Sequence, residues 1–143
     1  MLTRNTLWWV VLFGTPALVG MFAAIVLPLA RDVGTQRAAE AETYATMQAV
    51  VGAVEFYRVE YGHLPSFANH DLIEELSGRN AKGLLFLQLR KRDLNSAGEV
   101  VDRWGTPLRI VPLSEGGMKV VSAGPDKLFG TNDDMSISTV QTR

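Results

Sequence analysis

From Leu7 to Ala30 no residue is charged, and Leu, Val, Phe, Ala and Trp dominate the run. As a helix, such a stretch is long enough to cross a hydrocarbon core about 30 Å thick. The pattern predicts one transmembrane helix over 7–30. Trp8 and Trp9 stand at its start, where indole rings favour the headgroup layer, and Arg4 precedes them. That order places residues 1–6 in the cytoplasm and 31–143 on the far side of the membrane. A cleaved secretory signal is the competing reading, but its apolar region spans only about 7–15 residues. No small-x-small site ends the run either, because Phe22 and Pro28 stand where a small residue is wanted. Gly14, Pro16, Gly20 and Pro28 are tolerated in a membrane helix whose neighbours re-satisfy its backbone; they point equally to packing within an assembly or to simple kinks.

Beyond Arg31 the chain turns amphipathic. Tyr44, Met47, Val51 and Val54 recur at three- and four-residue spacing, Val50, Phe56, Tyr57 and Val59 widen the stripe, and Glu40, Glu42, Gln48, Glu55 and Arg58 occupy other positions. One helix is expected to continue to about Tyr61, where Gly62 and then Leu64-Pro65 supply a stop. A short second helix is expected over Asp71–Ser77, with Asn69 as its N-cap and Gly78 just past its end. Leu84 to Leu87 reads as a buried loop or short strand, and Arg90-Lys91-Arg92 as a solvated loop, with lipid or partner contact as the alternative. Leu108–Leu113 and Met118–Ser122 fit two hairpin strands joined by Ser114-Glu115-Gly116-Gly117, and a last strand fits Met135–Val140. A long helix on a small antiparallel sheet is the α+β class.

Between the last two strands lies a turn-rich segment, Ser122 to Asp134, holding Asp126, Asp133 and Asp134. Carboxylates brought together repel unless a cation joins them, and calcium accepts six to eight oxygens in a flexible shell. The spacing departs from the EF-hand loop, since Leu128 and Gly130 occupy places that need oxygen ligands. From spacing alone, a metal site and an acidic turn in water stand equally.

Composition narrows the function classes. With 143 residues there is room for one small domain and an appendage. A formal net charge of -1 lacks the basic field that nucleic acids attract, so no nucleic-acid partner is expected. The chain has no cysteine, which removes disulfides, thiolate metal sites and a Cys nucleophile together. His63 and His70 lack metal-ligand spacing on one helix and suit surface or capping roles. Enzymatic use of Asp126 with Asp133 or Asp134 as an acid–base pair is the least favoured reading.

Trp104-Gly105-Thr106-Pro107 leading into a strand, followed by Ser122-Ala123-Gly124-Pro125-Asp126 and Gly130-Thr131-Asn132-Asp133-Asp134, resembles the C-terminal half of type II secretion major pseudopilins, within the type IV pilin superfamily. Tyr57, Tyr61-Gly62 and Leu64-Pro65 are similar to the end of that family's long helix, and Ala23 to Pro28 to its membrane part. The resemblance covers most of the chain and is weakest over Ser66–Val101. It implies a pilin-like fold. It also implies a structural calcium ion, held by the side chains of Asp126, Asp133 and Asp134 and by main-chain oxygens near Ala123, Thr131 and Ile137. The implied role is that of a filament subunit in the periplasm. Its partners would be other pseudopilin-like subunits, met through the N-terminal helix, and membrane proteins of the secretion system, with the inner membrane as anchor.

The resemblance departs at the N-terminus. Alignment on Pro28 places Thr6 where the family has the Gly before its processing cut, Leu7 where it has the first mature residue, and Val11 where it has Glu. Arg103 likewise replaces the usual Pro before Trp104. The missing Gly and Glu favour a second expectation, a membrane-anchored adaptor with a pilin-like head that does not polymerise.

Overall fold

The computed structural model describes residues 6–114 and 116–139, with side chains from residue 34 onward. The chain divides into two compact units, Met1–Ala38 and Ala39–Arg143. Helix α1 runs Thr6–Tyr61, helix α2 Asn69–Leu76, and three strands follow: β1 Arg109–Pro112, β2 Met118–Ser122 and β3 Met135–Ser138. The class is α+β, as the hydrophobic pattern predicts. Among residues whose side chains are described, no helix is long and apolar enough to cross a membrane; the span expected at 7–30 lies outside them.

Tyr61 ends α1 because Gly62 takes a left-handed φ of 76° while its N–H bonds the Arg58 carbonyl at 2.8 Å. A Cβ would disfavour that conformation, which is why glycine serves as the stop. Within the second unit α1 buries Met47, Val50, Val51, Ala53, Val54 and Tyr57 in one cluster with Leu72, Ile73 and Leu76 of α2 and Met118 and Val120 of β2. Each buried Val, Leu, Ile or Met side chain among them contributes roughly 1.5–3 kcal/mol on leaving water. Three residues of the predicted stripe fall outside it: Tyr44, Phe56 and Val59 are exposed, the last two at 70% and 82%. Thr43 and Thr46 are buried in their stead.

The sheet is an antiparallel meander ordered β1-β2-β3, with Ile110 opposite Val120 and Val120 opposite Ile137. Residues Met118, Val120 and Ser122 are fully buried while Lys119 and Val121 are only partly so, the period-two signature of a sheet with one face on a core. The β1–β2 turn closes through Gly116 N–H to Leu113 O and Leu113 N–H to Gly117 O. Glu115 of that turn and Val140 of the expected last strand lie outside the described residues.

Other expectations are corrected. Asn69 does not cap α2: Ala68 holds the N-cap position, and Asn69 is the first helical residue. Its amide instead reaches across to the segment before β1. Oδ1 accepts from Val100 N–H at 2.8 Å, and Nδ2 donates to the carbonyls of Val100 and Leu108 at 3.0 and 2.7 Å. Leu84 and Leu85 are exposed, and only Leu87 of that run is buried. The Arg90-Lys91-Arg92 triplet, by contrast, is exposed as expected of a solvated segment, and it opens a 3₁₀ turn, Lys91–Asp93. There Arg90 pairs with the buried Asp93, and Arg92 reaches both Asp93 and Glu42.

Candidate functional site

Two segments far apart in sequence meet at the end of β2. The first is the turn around Trp104. Asp102, 4% exposed, accepts at Oδ1 from the N–H groups of Trp104 and Thr106 at 3.0 and 2.8 Å, while the Arg103 N–H donates to the hydroxyl of Thr43 on α1 at 3.2 Å. The turn is thereby fastened to the helix. The second is the β2–β3 loop, which begins at the fully buried Ser122. Its hydroxyl donates to Asp102 Oδ2 at 2.8 Å and accepts from the Gly124 N–H at 3.1 Å.

Inside the loop each carboxylate serves a backbone amide. Asp126 Oδ1 accepts from Leu128 N–H at 2.8 Å, an Asx-type turn, and Lys127 between them adopts a left-handed φ of 61°. Asp133 Oδ2 accepts from the Asp126 N–H at 3.1 Å, and its Oδ1 accepts from the Thr131 hydroxyl at 2.5 Å. That hydroxyl, followed by the Asp126 amide, holds the Asp133 carboxyl below the usual carboxylate range, so the group is ionised at neutral pH. Asp134 Oδ2 accepts from Gly130 N–H at 2.8 Å, whereas its Oδ1 is buried and meets no hydrogen-bond donor.

Of the six positions implied as calcium ligands, Ala123, Asp126, Thr131, Asp133 and Asp134 lie along this loop and Ile137 lies in β3. Asp126, through its N–H, and Thr131, through its hydroxyl, each donate to the Asp133 carboxylate. Among the described residues, however, no three Asp, Glu or His side chains gather into a group that could hold a metal as placed. In donor chemistry the set still fits calcium: it offers oxygens only, one of them a carboxylate oxygen buried without a partner. Leaving such an atom unpaired costs about 1–3 kcal/mol or more.

Glycine at position 124 is required twice over. Its φ is 67°, and a Cβ there would overlap the Asp133 carbonyl oxygen and press on its carboxylate. Gly124→Ala is therefore expected to displace Asp133 and lower the melting temperature of the protein by several degrees, on the order of a 2 kcal/mol loss. A melting curve within a degree of wild type would show that the loop does not pack as described.

Sequence reasoning missed three contributors. Asp102 and Arg109 are distant from the loop in sequence, and Phe129 lies inside it without any acidic character. The Arg109 guanidinium sits over the Phe129 ring, 3.8 Å from its centroid, and pins the loop to β1. His63 lies edge-on to Tyr57 and at a tilt to Tyr61, and His70 lies beside Asp71 and Glu74, in keeping with surface roles.

No protein-family model and no curated protein matches the chain. Among solved structures it is similar to the crystal structure of the major pseudopilin from the type 2 secretion system of enterohaemorrhagic Escherichia coli, at 19% sequence identity and a TM-score of 0.47, over 72% of this chain and 85% of that one.

Proposed function

We propose that the chain is a structural subunit of a periplasmic filament of the type II secretion or type IV pilus kind, not a catalyst. In this reading residues 7–30 anchor it in the inner membrane, with the N-terminus cytoplasmic and the head periplasmic. The observation that supports it best is that the two motifs carrying the pseudopilin resemblance form one hydrogen-bonded unit, joined where Ser122 donates to Asp102. A structural calcium ion belongs to the same reading. Asp126, Asp133 and Asp134 would hold it with main-chain oxygens of Ala123, Thr131 and Ile137. Bound there, it would neutralise the carboxylates and convert binding free energy into head stability.

Assembly would use the side of α1 that the head leaves uncovered. Ala45, Gln48 and Ala49 are exposed, and Phe56 and Val59 stand out in solvent. An exposed Phe contributes little to folding, so Phe56→Asp is expected to change the melting temperature by no more than about 2 °C, corresponding to ~0.5 kcal/mol or less. The same substitution is expected to abolish filaments formed by the full chain with its partner subunits, as judged by electron microscopy and by cross-linking along α1. Filaments of normal yield from Phe56→Asp would remove this face from the interface.

Val11 and Thr6, standing where the family has Glu and Gly, favour a second reading as a non-polymerising anchored adaptor. Defined small complexes with secretion-system membrane proteins, and no filaments under any subunit mixture, would select it.

A further inference from the structure

We infer that Asp102 and Ser122 are positioning residues for the cation-binding loop, setting the direction of the Ala123 carbonyl and the seat of Asp133; this assignment rests on the calcium reading above. The hydroxyl of Ser122 has one proton, and it donates that proton to Asp102 Oδ2 at 2.8 Å. The oxygen of Ser122 is then free to accept, and it receives the Gly124 N–H at 3.1 Å. That N–H shares a planar, trans peptide unit with the Ala123 carbonyl, and no cis peptide is present among the described residues. In a trans unit the two groups point in opposite directions. Holding the N–H against Ser122 therefore turns the Ala123 oxygen the other way, out of the strand end. The same peptide unit carries Gly124 against the backbone and carboxylate of Asp133.

Burial makes this linkage directional. Ser122 and Ala123 are fully buried and Asp102 nearly so, which leaves water few ways to substitute for a missing partner. Asp102 also receives the Trp104 and Thr106 amides, and the adjoining Arg103 amide is bonded to Thr43 of α1. The loop thus takes its position from the helix through the Trp104 turn. Partners that orient metal ligands from behind typically change affinity by about 10–100-fold when removed.

The test is calorimetric titration of calcium into the full chain in detergent micelles, for wild type, Ser122→Ala and Asp102→Asn, beside the melting temperature of each in chelator. Ser122→Ala removes the hydroxyl with little change in volume. Asp102→Asn keeps an oxygen for the Trp104 and Thr106 amides but no longer takes the Ser122 proton, and it carries the test if Ser122→Ala fails to fold. Both variants are expected to bind calcium at least tenfold more weakly, with a smaller proportional loss of stability in chelator. Wild-type affinity in the variants, with lowered melting temperatures in chelator, would overturn the positioning role and leave Asp102 and Ser122 as structural residues only. No calcium binding by the wild-type chain would overturn the calcium reading itself and this assignment with it.

Discussion

Asn69→Ala is expected to destabilise the head by about 3 kcal/mol, lowering its melting temperature by on the order of 12 °C. The magnitude follows from what the amide touches. Val100 and Leu108 are 0% and 2% exposed. Without Asn69 the Val100 N–H and the Leu108 carbonyl lose the side-chain partners they have in the fold. The Val100 carbonyl fares better, since the Leu108 N–H also reaches it at 2.9 Å. Two orphaned groups at about 1–3 kcal/mol each outweigh the ~1 kcal/mol that a lost helix cap would cost. Asn69→Asp separates the two roles. Aspartate caps helices as well as asparagine does, so a cap would tolerate it. A bridge would not, because a carboxylate would face two carbonyl oxygens. Thermal unfolding followed by circular dichroism decides the matter: a loss near 1 kcal/mol for Ala with none for Asp would return Asn69 to the capping role.

Chelation of calcium is expected to lower the melting temperature of the protein by on the order of 10 °C relative to excess calcium, with magnesium restoring little of it. Calcium at about 100 times its dissociation constant adds about 2.7 kcal/mol to a state that binds it. In a head of this size that amounts to a shift of the stated order. Magnesium demands a regular octahedron that a flexible loop of carboxylates and carbonyls does not offer. Asp126→Ala and Asp133→Ala should abolish the calcium increment. In chelator they should cost no more than the Leu128 amide loses in the first case, and the Asp126 amide and Thr131 hydroxyl in the second, when their acceptors are removed. Equal destabilisation with and without calcium would mean that these carboxylates serve only the turn geometry.

Much of this architecture was readable where a local signal existed. The end of α1 at Tyr61 follows from Gly62, and the start of β2 from the Gly116-Gly117 turn before it, because both depend on residues adjacent in sequence. Periodicity did less well in choosing the buried sector of α1. Apolar side chains lie on several faces there, and only the tertiary partners decide that Thr43 turns inward while Phe56 and Val59 turn out. Asn69 showed the opposite difficulty: its type and place suited a cap, yet carbonyls more than thirty residues away competed for its amide. The loop was recognisable from its acidic and turn residues, and its Asp126–Leu128 bond follows from short-range Asx chemistry, whereas the Asp133 and Asp134 bonds close over longer spans. What anchors it was not recognisable, since neither Asp102 nor Arg109 carries a local mark of the contact it makes.

Both outer strands of the sheet are short, four residues each in β1 and β3 among the described residues, and β1 ends on Pro112, which has no N–H to offer. Unpaired strand edges of this length are poor templates for another chain. Strand exchange and cross-β stacking are therefore disfavoured at the described edges of this sheet. Self-association through exposed side chains such as Phe56 and Val59 of α1 would instead be set by shape and apolar contact, and would be reversible by weakening those contacts.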